Sequence, residues 1–312
     1  MKRKIFSVLL ALTLIVSSLV CVPAKVKAAQ ATQIYVDGVA LYDSMEHMWR
    51  TVGNGWAYNE KTNTLLLHGN FNYQYTGGSY NRILCCVRVE GDINIIVDGP
   101  TLINLGNNGL IGISVSGNCN LTLKNKLTIN GGAGIMVDGN LVVKGEGSGK
   151  YVSKPSGHLY GGICAANITM KNVKGVNINT PTLFGIHTTG GNINIQSCKM
   201  NITAYTGAIT AFYGNVKISG KNDITAKANA KGAPAIGVVT KNETNYIGCP
   251  TGSGKGKITL AKKVKVTSPK GLKKKAKSMK KSFPIVKGST SKITFKFSSL
   301  SNGKVISKIR IK

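Results

Sequence analysis

Residues 82–268 hold seven carboxylates: Glu90, Asp92, Asp98, Asp138, Glu146, Asp223 and Glu243. Such acids could do glycan chemistry in two ways. A lyase sets a calcium ion between acids and an acidic sugar and removes a proton with Arg or Lys, whereas a hydrolase flanks one glycosidic bond with two carboxyls. Arg82 and Arg88 lie close in sequence to Asp92 and Asp98, which makes Arg88, Asp92 and Asp98 the lyase-like candidates. The competing expectation is corner acids and surface ion pairs of little energetic weight.

Other motifs fall short of a site. GCPTGSGKGK (Gly248–Lys257) lacks the first Gly of a phosphate loop and has Gly256 where Ser or Thr would bind magnesium, so it reads as a connection. His47, His68, His158 and His187 are scattered, and no Cys/His spacing fits zinc.

Two groups suit binding instead. Trp49, Trp56, Tyr58, Phe71, Tyr73, Tyr75 and Tyr80 concentrate near the N-terminus. Sugar rings stack on such aromatic faces, so Tyr58, Tyr73, Tyr75 and Tyr80 are candidate carbohydrate contacts. Trp49 and Trp56 read as plugs of an open core end. The second group is the lysine-rich end, where Lys273, Lys274, Lys275, Lys277, Lys280 and Lys281 are candidate contacts for an anionic polymer. Nearly all its cations are lysines, point charges without the forked geometry of arginine, so specific nucleic-acid recognition is not expected.

The elements that must position these residues repeat. Gly-Ile or Ala-Ile recurs at Gly112, Gly134, Gly162, Gly185, Ala208 and Ala235, at intervals of about 22 to 28 residues, within the solenoid range. Each repeat holds two or three short alternating segments, with Ile, Val and Leu on one face and Asn, Thr and Lys on the other. A repeat of this kind buries its apolar face by stacking, which predicts an all-β parallel β-helix. No two carboxylates share an offset between successive repeats. Recurrent Asn120, Asn140, Asn167, Asn192 and Asn215 are expected at stacked corners.

The chain divides into a leader (1–28), an aromatic-rich cap (29–81), coils (82–268) and a lysine-rich cap (269–312). In the last, Leu272, Ala276 and Met279 have helical spacing and predict a short capping helix. KITFKFSSLSNGKVISKIRIK predicts a hairpin turning at Asn302-Gly303.

The leader has a basic head, an apolar stretch and Val26-Lys27-Ala28, the pattern of an export signal cleaved before Ala29, and no later segment is long enough to span a bilayer. Removing its five Lys and Arg from the formal charge of +30 leaves about +25. Cys85, Cys86, Cys119, Cys164, Cys198 and Cys249 remain, and they are expected as buried free thiols rather than a disulfide framework.

On GNGWAYNEKTNTLLLHG (Gly53–Gly69), GIMVDGNLVV (Gly134–Val143) and SNGKVISKIRIK (Ser301–Lys312), the chain resembles secreted polysaccharide-binding right-handed parallel β-helix proteins of clostridia-like bacteria, whose fold is similar to that of pectate lyases. The resemblance implies carbohydrate binding, of cellulose-like or pectin-like polymers, without cleavage. It also admits a bound calcium ion, for which the residues themselves suggest no site. The expectation is therefore a secreted or cell-surface, non-catalytic carbohydrate-binding protein. Calcium-dependent pectate lyase and a wall-associated adhesin for anionic wall polymers are the alternatives.

Overall fold

The computed structural model describes residues 30–37, 39–43, 48–49, 52–74, 85–106, 110–156, 161–181, 183–244, 249–270, 272, 275–284, 290–301 and 305–312. All regular structure among them is β, wound into a parallel β-solenoid of about six turns. Three ladders run along its axis. The first stacks Cys85–Glu90, Ile111–Val115, 133–137, 163–165, Phe184–Thr188, Gly207–Phe212 and Ile236–Asn242. The second runs from Thr64–Leu67 through Ile93–Val97, Cys119–Leu123, 141–145, 168–171, Ile193–Gln196 and Val216–Ser219 to Ile258–Leu260. The third runs from Asn70–Tyr73 to Asp223–Ala228. The continuous parallel ladders thus begin at Thr64, upstream of the first Gly-Ile repeat.

Alternation explains the winding. In Ile93–Val97 the first, third and fifth side chains are buried and the others half-buried. Leu65, Ile95, Leu121, Val143, Met170, Ile195 and Ile218 stack in register as one row of the core, each at most 1 % exposed. Each coil covers its neighbour's apolar row, at roughly 1.5–3 kcal/mol per buried side chain.

The corner between the first two ladders carries a side-chain stack. Asp92 Oδ1 accepts from the backbone N of Asn118 (2.7 Å) and its Nδ2 (3.0 Å). Asn118 Oδ1 accepts both donors of Asn140 at 2.9 Å. The relay continues through Asn167, Asn192 and Asn215 and ends on Lys257 N. Asn118 therefore holds the corner where the sequence suggested Asn120, whose amide donates instead to Asn94 in a separate stack. The preceding Gly packs against the coil below. A Cβ on Gly214 would lie 2.1 Å from Gly191 O.

Antiparallel strands close both ends. Gln33–Val36 pairs with Cys85–Glu90, and Trp56–Asn59 with Thr64–Leu67, where Trp56 is buried over the core end as expected. At the other end Lys292–Ser301 pairs with Ile236–Asn242 and carries Lys275–Pro284 on its far side, while Lys308–Ile311 closes the third ladder.

Two expectations are corrected here. The segment around Ala276 and Met279 is a ten-residue strand, not a helix, because Lys292–Ser301 offers it a full antiparallel ladder and tertiary pairing overrides spacing and propensity. That strand is also the hairpin partner of Lys292–Ser301. Lys308–Ile311 crosses to the third ladder instead of folding back at Asn302-Gly303, a turn that lies outside the described residues.

The C-terminal cap creates a second core on the outer face of the first ladder. Phe184, Phe212, Phe283, Phe295 and Phe297 pack there, with ring centroids 5.5 Å apart for Phe184–Phe212 and 5.7 Å for Phe212–Phe295. His187, pointing away from the lumen, is 1 % exposed between Phe184 and Phe212. The six cysteines are free and buried.

Candidate polyanion-binding face

The lyase-like candidates are not brought together. Arg88 pairs with Glu90 two residues along its own strand. Asp92 is the first rung of the corner stack, its carboxylate already accepting from Asn118. Asp98 sits at the other end of strand Ile93–Val97, 3.4 Å from His68 Nδ1. The strand between them separates Asp92 and Asp98 by about 20 Å. Calcium needs six to eight oxygen ligands. Among the described residues no three His, Cys, Asp or Glu side chains gather to hold a metal ion.

Tyr58 and Tyr73 are corrected as carbohydrate contacts. They are 5 % and 7 % exposed and belong to the solenoid core. The alternation that puts Phe71 and Tyr73 on one side of their strand turns that side inward, since the coil above needs cover. Tyr75 and Tyr80 lie outside the described residues, as do Lys273 and Lys274. Lys275 opens the strand Lys275–Pro284, and Lys277, Lys280 and Lys281 are exposed along it.

That strand is a sheet edge, and lysine with a terminal Pro is what an edge needs to discourage pairing with another chain. Edge protection therefore accounts for Lys277 and Lys281 without a ligand. It does not account for the lysines further in. Lys241 lies opposite Lys296, and Lys296 opposite Lys280, so three exposed ammonium groups form one row across three strands, two of them behind the edge. Neighbouring strands are about 4.8 Å apart. Like charges directly opposite are destabilising, by about 1 kcal/mol for each pair in water.

Two depressions flank the row and share Lys241 and Lys296. One adds Lys280, Lys281, Glu243, Ser282 and Thr294, and the other adds Lys255, Thr240, Ser253 and Ser278. Glu243 is the acid within reach. It pairs with Lys241, and that hydrogen bond and charge, with Lys280 beyond, hold its carboxyl below the ordinary range. The hydroxyls are preorganised in part, Ser282 Oγ lying 2.7 Å from Thr294 Oγ1. Fixed cations with interspersed hydroxyls and one acid make a surface suited to an anionic polymer.

Lys241, Lys255 and Lys296 stand outside the lysine cluster at 273–281 that composition singles out. The alternation of KITFKF places Lys296 opposite Phe295 and Phe297 across the strand, which was a usable signal. Its alignment with Lys241 depends on a pairing 55 residues long in sequence, with a bulge between Val239 and Lys241. The rejected phosphate-loop segment supplies Lys255 through the short strand Gly252–Ser253, which pairs with Lys241 and Asn242. No helix among the described residues is long and apolar enough to cross a membrane. No protein-family model, curated protein or solved structure matches the chain.

Proposed function

We propose that this chain is a secreted or cell-surface, non-catalytic binder of acidic polysaccharide, of the pectin-like class, held on the lysine face of its C-terminal cap. The observation that supports this reading is the row Lys241, Lys296 and Lys280, whose inner members edge protection leaves unexplained. A uronate polymer presents repeated carboxylates for the ammonium groups and hydroxyls for Ser282, Thr294 and Ser278. The resemblance at Gly53–Gly69 and in the coil starts supports a polysaccharide as the polymer. Tyr58 and Tyr73, as core residues, lend no support to a cellulose-like glycan.

Retention of the exported protein on immobilised polygalacturonate and on cellulose, across a salt series, tests the reading. Retention on polygalacturonate at low salt that fades as screening grows is expected, with passage through cellulose. Passage through both at low salt would overturn it.

A further inference from the structure

The corner between the second and third ladders carries a second concentration of lysine, far from the C-terminal strands in sequence. Lys124 and Lys126 flank it in one coil, Lys144 and Lys150 in the next, Lys171 and Lys174 in the third, and all six are exposed. Pairing aligns four of them as two pairs one coil apart, with Thr122 below Lys144 and Gly175 above Lys150. Lys144 lies in register with Lys171 in the second ladder, and Lys126 with Lys150 in the third. Their backbones repeat at the coil spacing of about 4.8 Å.

The corner itself is low. The turn Glu146-Gly147-Ser148-Gly149 packs on the coil below, with Ser148 Oγ donating to Lys124 O at 3.2 Å. Gly175 leaves room for the stem of Lys150, since a Cβ there would lie 3.3 Å from Lys150 Cγ. In these three coils the acid at the corner is Glu146, 2.6 Å from Lys144 Nζ and close enough to Lys124 to feel its charge. Neighbouring coils dilute the pattern: Gln196 and Ser219 follow Lys171 in register, and Lys199 is in register with Asp223.

A solvated face that keeps a protein soluble needs lysines but not their register. Stacking like charges one coil apart raises their mutual repulsion, and a linear polyanion lying along the axis relieves it while releasing its own counterions. We infer that this lysine corner is a second binding rail, which holds an extended acidic polysaccharide parallel to the solenoid axis. The inference rests on the reading above for the class of ligand but not on the C-terminal face. Binders of single-stranded nucleic acid add aromatic platforms for the bases. The corner segments 124–126, 144–150 and 171–175 contain no aromatic residue.

Binding of size-defined oligogalacturonates would be measured by titration calorimetry at low salt. The proteins compared are the wild type, a corner variant (Lys126→Ser, Lys144→Ser, Lys150→Ser, Lys171→Ser) and an equal-charge control (Lys61→Ser, Lys154→Ser, Lys227→Ser, Lys263→Ser). The C-terminal variant Lys241→Ser, Lys280→Ser, Lys296→Ser forms a fourth arm. Urea unfolding confirms that each is folded.

In the wild type, affinity should climb with oligomer length and then level off once the rail is spanned. The corner variant should bind long oligomers on the order of tenfold more weakly than the control and show a shallower salt dependence. Equal losses in corner and control variants would reduce the rail to bulk charge and overturn it. Loss confined to the C-terminal variant would overturn the rail and leave the proposed function standing, whereas a wild type that binds no oligomer would remove both. Tighter binding of single-stranded DNA of matched charge would overturn the ligand class. Should the corner variant fail to fold, charge reversal at the exposed pair Lys144→Glu and Lys171→Glu reads the same outcomes.

Discussion

Asp92 shows how position in a coil decides what a residue does. Its carboxylate takes the place that asparagine side chains fill in later coils, accepting from Asn118, and Asp92→Asn keeps an acceptor oxygen there. Asp92→Asn should therefore leave both stability and polygalacturonate binding near wild type. Asn192→Ala removes the acceptor of two bonds from Asn215 and should cost about 1–3 kcal/mol in urea unfolding. The thiols make a second prediction at this scale. Burial pushes Cys86, Cys119 and Cys164 from an ordinary value of 9.0 up to about 12. The folded state thus keeps protons that the unfolded state loses above pH about 9, so stability falls as pH rises from there towards about 12, by up to about 1.4 kcal/mol per pH unit for each thiol. Urea midpoints followed through that range test it, and Cys119→Ala should flatten the fall. A fall equally steep in the variant would mean that Cys119 plays no part.

Among the elements, the C-terminal pair of strands joins scaffold and face. Its inner side chains Phe283, Phe295 and Phe297 cover Phe184 and Phe212, and its outer ones present Lys280 and Lys296. Phe295→Ala should cost roughly 3–5 kcal/mol and weaken polysaccharide retention through loss of the cap. Lys296→Ser should do the opposite to the fold: relief of its two like-charge contacts raises Tm by roughly 3–4 °C in calorimetry, while retention falls. The coils are legible in the sequence because Gly-Ile starts, alternation and Gly-Asn corners repeat in chain order, each a local signal. The corner row slips by one member, Asn120 for Asn118, because both asparagines stand in one coil start and either continues the spacing. The cap is not legible in the same way. Leu272, Ala276 and Met279 carry a helical spacing that only a partner strand overrules, and that partner follows later in the chain. Tyr58 and Tyr73 mislead for a related reason, since alternation gives a shared side but not whether that side meets solvent or the next coil.

For the whole molecule, the formal charge of +30 matters through its arrangement. The solenoid stacks equivalent positions at one coil spacing, so a lysine repeated in sequence becomes a pair in space, and the antiparallel cap turns three more into a row. Both arrangements set lysines opposite one another, and both suit a long anion whose charges also repeat. The proposed function assigns the grip on an acidic polysaccharide to the ordered lysines of the cap rather than to net charge. Titration calorimetry with polygalacturonate separates the two, comparing the wild type, the variant Lys241→Ser, Lys280→Ser, Lys296→Ser, and a folded control lacking three exposed lysines elsewhere, Lys61→Ser, Lys154→Ser and Lys227→Ser. Salt-sensitive binding by the wild type and the control is expected, with a loss on the order of tenfold in the cap variant. Equal affinity in the cap variant and the control would leave net charge as the source of binding and overturn the assignment to the cap.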